Sequence, residues 1–276
     1  MYEGANSPAS MSLLDTVAGI GIRCRCGIVD TGTDLVFLSY DGVRSFGRTI
    51  QEKSMPIGDL SRNIKQDLLQ AIAAETTPVR MEYSPENSFV LLIFRSQSLV
   101  YCFDMRGTLE NGSYRVTRWP GSNIKALSRD VNGTLYIGTT DGICTYDTYL
   151  DGASSYVMKY YSPNLTFGDS SRLKILKKMR PTIIGGSGSV INFRWGYDFT
   201  GNFKTSSYTL TIAGISEYGV DEFGIGEFSS GTVSTTVNIN TTGDGASVVV
   251  GMEAEITGSF VSLQEYNIWS MIGKLV

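Results

Sequence analysis

Asn132-Gly133-Thr134-Leu135-Tyr136-Ile137-Gly138-Thr139-Thr140-Asp141-Gly142-Ile143-Cys144-Thr145-Tyr146-Asp147 reads as a tight turn, a strand, a second turn at Asp-Gly and a second strand. Asp-Gly between two apolar, β-branched or aromatic runs is a strong hairpin signal, because a type I′ turn needs positive φ at its central residues. The same pattern recurs at Thr33-Asp34-Leu35-Val36-Phe37-Leu38-Ser39-Tyr40-Asp41-Gly42-Val43-Arg44-Ser45-Phe46. The two Asp-Gly pairs lie about two repeat lengths apart if one repeat runs roughly 40 to 50 residues. A middle copy is therefore expected, and Asn87 to Phe94, a turn over Arg95 to Ser98, and Leu99 to Asp104 supply it. Three hairpins at that period read as blades of a β-propeller.

Working outward, Gly21 to Val29 alternates as a strand leading into the first hairpin, with Cys24 and Cys26 on one face. Asp59 to Ala74 is the one helix predicted: Asp59 is the candidate N-cap, Leu60, Ile64, Leu68, Ala71 and Ile72 recur at helical spacing, and Pro78 stops the run. It is read as a packing element or a subunit contact. Phe89 to Phe94 is almost continuously apolar, as a strand covered on both faces would be. Met105 to Pro120 makes an outer hairpin through Glu110-Asn111-Gly112. Ser128 to Tyr136 resembles, with one inserted residue, the Asp-box of sialidase-like propellers, where the box is a structural turn.

Near Ser162-Pro163 the character changes. Ile191, Phe193, Trp195, Tyr197 and Phe199 share one strand face, with Asn192, Arg194 and Asp198 opposite, and Val248, Val250, Met252, Ala254 and Ile256 line another. The expected class is all-β: partial propeller blades over 1–160 with one inserted helix at 59–74, then an antiparallel β-sandwich-like domain over 165–276. The Gly-rich, acidic stretch Gly214 to Gly231 does not match an EF-hand and reads as a mobile or interface loop.

Composition narrows the chemistry. The 276 residues are 42% hydrophobic and only 18% charged, with 31 Gly and a net charge of -4, so the chain has no global attraction for nucleic acid. There is no histidine, which removes Ser-His-Asp and Cys-His nucleophile pairs and every His-containing metal site. The four cysteines form no Cys-x-x-Cys pair and are expected as free thiols of a reducing compartment. Asp15 interrupts the apolar run from Met11 to Ile22, and no apolar run reaches 18 residues, so neither a signal peptide nor a membrane span is expected. No catalytic residue, cofactor or metal is predicted, and the chain is not expected to be an enzyme.

One cluster stands out electrostatically. Arg172, Lys174, Lys177, Lys178 and Arg180 fall within nine positions and are the candidate contacts for DNA or an acidic partner, against the reading of a solvated strand face or subunit salt-bridge surface.

The run Tyr40 to Phe46, the stretch Pro56 to Leu68, Lys174-Ile175-Leu176-Lys177-Lys178-Met179-Arg180-Pro181 and Trp195-Gly196-Tyr197-Asp198-Phe199 resemble the tail nozzle proteins of short-tailed phages, also called tail tubular protein B or stabilisation protein. Leu263 to Asn267 and Ile272 to Leu275 fit the same resemblance. It implies a virion structural protein of the tail, assembled in the host cytoplasm as a homo-hexameric ring below the portal adaptor. Its lumen would pass viral DNA without sequence-specific binding, and its outer surface would carry fibres or spikes. The alternative is a carbohydrate-binding or receptor-binding propeller of a tail or surface protein. A glycosidase would need paired carboxylates or a Tyr-Glu nucleophile with an Arg cluster, whereas Asp34, Asp41, Asp130 and Asp141 all sit in predicted turns. A ligand-sensing cellular propeller is a third reading. Because a propeller closes with about four to eight blades, another polypeptide segment is expected to cover the region of Gly21 to Ile28 or the blade at Asn132 to Asp147.

Overall fold

The computed structural model describes residues 2–3, 9, 12–13, 20–52, 59–185, 188–198, 200–210 and 233–275. Pro56, Phe199, the acidic loop Gly214 to Gly231 and most of the N-terminal arm lie outside them. The fold is all-β, built from antiparallel sheets and two compact units, Met1–Tyr146 and Asp147–Val276. The boundary falls earlier than position 160, because Tyr156–Tyr161 pairs with Val248–Ile256 inside the second unit.

In the first unit β1 (Tyr2–Glu3) pairs β2 (Ser12–Leu13). Three meanders follow, each in simple sequence order. The first holds β3 (Ile28–Asp30), β4 (Leu35–Leu38) and β5 (Val43–Ser45), and runs on into α1 (Phe46–Glu52). After a 3-10 turn at Arg62–Ile64 and α2 (Lys65–Ala74) comes the second meander: β6 (Arg80–Ser84), β7 (Phe89–Phe94), β8 (Leu99–Thr108) and β9 (Tyr114–Pro120). The third holds β10 (Ile124–Arg129), β11 (Leu135–Thr139) and β12 (Ile143–Thr145).

The continuous apolar run of β7 now has its physical reason. Val90, Leu92 and Phe94 face one core with Leu99, Tyr101 and Phe103 of β8, packed on Val29, Val36, Leu38 and Val43 of the first meander and on Leu68, Ala71 and Ile72 of α2. Phe89, Leu91 and Ile93 face the opposite way, with Val100, onto Ile124, Leu127, Leu135 and Ile137 of the third meander. Every residue of β7 is buried, so alternation vanishes because both faces are inside. The other face of the third meander carries Ile143, which is 79% exposed.

Two local expectations change. Gly21 to Val29 is not one strand: Gly27 N–H closes a turn on Cys24 O at 3.0 Å, and only Ile22, bridged to Ser39, and Ile28 onward pair. Cover for this region comes from within the chain, since Cys26 O accepts from Met81 N–H at 3.0 Å and the Cys24 thiol donates to Val79 O at 3.5 Å. Asp59 does not cap α2 directly. Its Oδ1 accepts from Ser61 N–H at 2.9 Å and Ser61 Oγ–H at 2.6 Å, while Ser61 Oγ accepts Val43 N–H at 3.0 Å, so the acid is spent on fastening the hairpin turn to the start of the helix.

In the second unit, β13 (Tyr156–Tyr161), β14 (Arg172–Gly185), β15 (Val190–Tyr197), β16 (Lys204–Thr209), β17 (Val233–Thr236), β18 (Ile239–Asn240), β19 (Asp244–Gly245), β20 (Val248–Ile256) and β21 (Val261–Leu275) form two sheets. One has the order β13-β20-β15-β16. The other centres on β14, with β17, β18 and β19 along one edge and β21 along the other. Ile191, Phe193, Trp195, Val250, Met252 and Ala254 of the first sheet meet Leu176, Met179, Ile183 and Ile268 of the second in one core, which makes the unit a sandwich.

Candidate functional site

The structure separates the five basic candidates of β14. Leu176 is paired with Ser270 and Lys178 with Trp269, so Lys177 is an extra residue, a β-bulge. The bulge reverses which positions point inward: 174 and 176 are buried before it, 179, 181, 183 and 185 after it. Lys177, Lys178 and Arg180 therefore share the outward face, away from the core. Across the ladder from them stand Trp269 and Asn267, and Lys178 Nζ lies 5.8 Å from the Trp269 ring centroid. None of the three cations has a carboxylate partner among the described residues; Glu265, paired with Thr182, ends the row.

Lys174 and Arg172 do not join that face. Lys174 is fully buried, and its ammonium donates to Asp169 O and, at 2.6 Å, to Arg172 O. Arg172 Nε pairs with Asp169 Oδ2 at 3.3 Å. Lys174 is thus a structural clamp for the turn that starts β14. Lys174→Met is expected to leave both carbonyls without their donor and to cost about 1–3 kcal/mol, whereas Lys177→Gln should stay within about 0.5 kcal/mol. Urea unfolding of the two variants reads the difference, and an unchanged midpoint for Lys174→Met would remove the clamp.

A second polar group, which the sequence did not single out, lies on the outer face of the other sheet. Glu253 on β20 accepts from Tyr161 OH at 2.7 Å and pairs with Arg194 Nη2 at 2.8 Å and Lys159 Nζ at 3.7 Å. The pairings Lys159 to Glu253 and Glu253 to Asn192 line up this row, so only cross-strand register could have revealed it. Burial first, and then the Glu253 carboxylate, push the Tyr161 phenol above its ordinary range. The group ties β13, β15 and β20 together across this face.

The turn carboxylates have backbone roles. Asp34 Oδ1 accepts Leu35 N–H at 2.7 Å and Gly47 N–H at 2.9 Å. Asp130 Oδ1 accepts Asn132 N–H at 2.9 Å and Thr134 N–H at 2.8 Å, which is the work of the turn resembling an Asp-box. All four cysteines are free; Cys144 is exposed, and burial pushes the half-buried Cys102 thiol up to about 12. Among the described residues no three Cys, Asp or Glu side chains gather as a metal site, and no helix is long and apolar enough to cross a membrane.

No protein-family model matches this chain, and no curated protein sequence is significantly similar to it.

Proposed function

We propose that this chain is a structural protein of a short-tailed phage tail, a nozzle subunit whose homo-hexameric ring forms the DNA-ejection conduit below the portal adaptor and carries fibres or spikes outside. The observation that carries this reading is where the resembling segments fall. Lys174–Pro181 lies in β14 and is paired with the two C-terminal segments: Pro181 with Tyr266, Arg180 with Asn267 and Lys174 with Ile272. The Trp195 segment packs into the same core, its indole N–H donating to Thr242 O at 3.0 Å. Segments some 90 residues apart along the sequence (176 to 268 is a separation of 92) thus belong to one packed unit, as motifs inherited for a common scaffold would. In this reading the stacked meanders of the first unit are blades of an incomplete propeller, and another subunit or tail protein covers the third.

A conduit needs stiffness and a wall that does not grip the polyanion, since each phosphate neutralised by Lys or Arg releases counterions and tightens binding. Two-sided burial of β7 supplies the first requirement and the net charge of -4 the second. The test is mass spectrometry of density-purified, DNA-filled particles from the source culture. Peptides of this chain are expected in the particle band at a stoichiometry of about six per portal vertex, as closed rings require. Their confinement to the soluble fraction would overturn the reading.

A further inference from the structure

We propose that the outward face of the β14–β21 pair binds single-stranded nucleic acid, with Lys177, Lys178 and Arg180 on the phosphates and Trp269 as a stacking platform for a base. Three observations converge on it. The bulge at Lys177 brings three cations to one face of a chain whose net charge is negative, and no carboxylate of the described residues neutralises them. Directly across the ladder, Trp269 is 47% exposed although a tryptophan on a sandwich face could be turned inward, as Trp195 is. Lys178 Nζ lies over one face of that ring, 5.8 Å from its centroid, so cation and aromatic plane stand side by side and the opposite face is the one a base would use.

An aromatic plane beside cations on an extended strand is the arrangement that holds an unstacked base and its backbone, and it tolerates any sequence because every base has a π-face. The ring separates this ligand from two others. Duplex DNA offers no free base to stack, and an acidic polypeptide needs only the cations. The inference stands apart from the nozzle reading, because it concerns a surface of the isolated chain and not its place in a particle.

The experiment is fluorescence anisotropy of a fluorescein-labelled oligothymidylate titrated with the full chain over a salt series. Three phosphates neutralised on a single strand give a log–log salt slope of about -2, so affinity should fall roughly 20-fold between 50 and 200 mM salt. K177Q/K178Q/R180Q should flatten the slope towards zero. Trp269→Leu should weaken binding several-fold while keeping the slope, and wild-type Trp269 fluorescence should be quenched by the oligonucleotide. All four side chains point away from the core, and circular dichroism with the thermal midpoint checks that each variant is folded. No binding at 50 mM salt, or a slope unchanged in the triple variant, would overturn the proposal. So would equal affinity for a duplex with no effect of Trp269→Leu, or displacement by polyglutamate at matched charge, either of which would make the face a plain charge site.

Discussion

Truncating Phe94 to alanine should lower the free energy of unfolding by about 3–5 kcal/mol, a large part of the 5–15 kcal/mol that holds an ordinary domain together. The side chain is fully buried at the end of β7 and meets Tyr101 edge-on with ring centroids 5.7 Å apart. Its loss removes apolar area from the core shared by the first two meanders and α2, and α2 cannot collapse freely into the void. That helix is tied down on its own account: Tyr101 OH donates to Asp67 Oδ2 at 2.7 Å, and Gln97 Nε2 donates to Ala71 O at 2.8 Å. Urea unfolding should report a lower midpoint with little change in slope. Ile143→Ser, at a side chain 79% exposed, is the matched control and should move the midpoint by less than about 0.5 kcal/mol. Equal effects would mean that the third meander's outer face is covered after all.

Gly42→Ala and Gly142→Ala should differ sharply although the two glycines occupy the same place in twin Asp-Gly turns. Both have positive φ, +142° and +153°, so alanine strains each by about 1–2 kcal/mol. At Gly142 nothing lies within 4 Å of the added carbon. At Gly42 it would sit 2.6 Å from Ser61 Oγ and 2.8 Å from Asp59 Oδ1. Moving Ser61 away abandons the N–H of Val43 and one donor to a buried carboxylate, which adds about 1–3 kcal/mol. The expected total is about 2–5 kcal/mol at Gly42 against about 1–2 at Gly142, read as separate thermal midpoints. Similar shifts would show that the contact with Ser61 and Asp59 contributes nothing.

The twin turns also mark how far the sequence could be read. Residue pattern placed the three hairpins, the inward faces of β15 and β20 and the double burial of β7, but not the turn type. Ser39 N–H donates to Gly42 O and Thr139 N–H to Gly142 O, so Tyr40-Asp41 and Thr140-Asp141 are the central pairs, and neither Asp has the positive φ of a type I′ turn. What remained hidden depends on a distant partner. The bulge at Lys177 exists only against β21, and without it Lys174 looks like a fourth member of a solvent-facing row rather than a clamp inside the protein. The Glu253 row is assembled by register among three strands, and the second role of Asp59, fastening Ser61 to the first hairpin, needs a neighbour 18 residues away at Val43. α1 went unforeseen although Ser45 caps it, its Oγ accepting Arg48 N–H at 3.2 Å, because Phe46–Glu52 is too short to show a helical stripe.

The pairing of β14 with β21 has a kinetic side. The first unit is assembled from neighbours, so each meander can close soon after its residues leave the ribosome. The second unit cannot, because Leu176, Met179 and Ile183 wait for Val261, Leu263 and Ile268 on a strand made some ninety residues later, and contacts of such sequence separation form slowly. Until then a strongly apolar strand flanked by lysines stands open, and those lysines serve as gatekeepers against pairing with the wrong chain. A nascent chain stalled before Val261 should accordingly shield 89–103 from protease while 176–183 is cut. The bulge that sorts the cations on the finished surface would then also be what keeps this strand soluble while it waits.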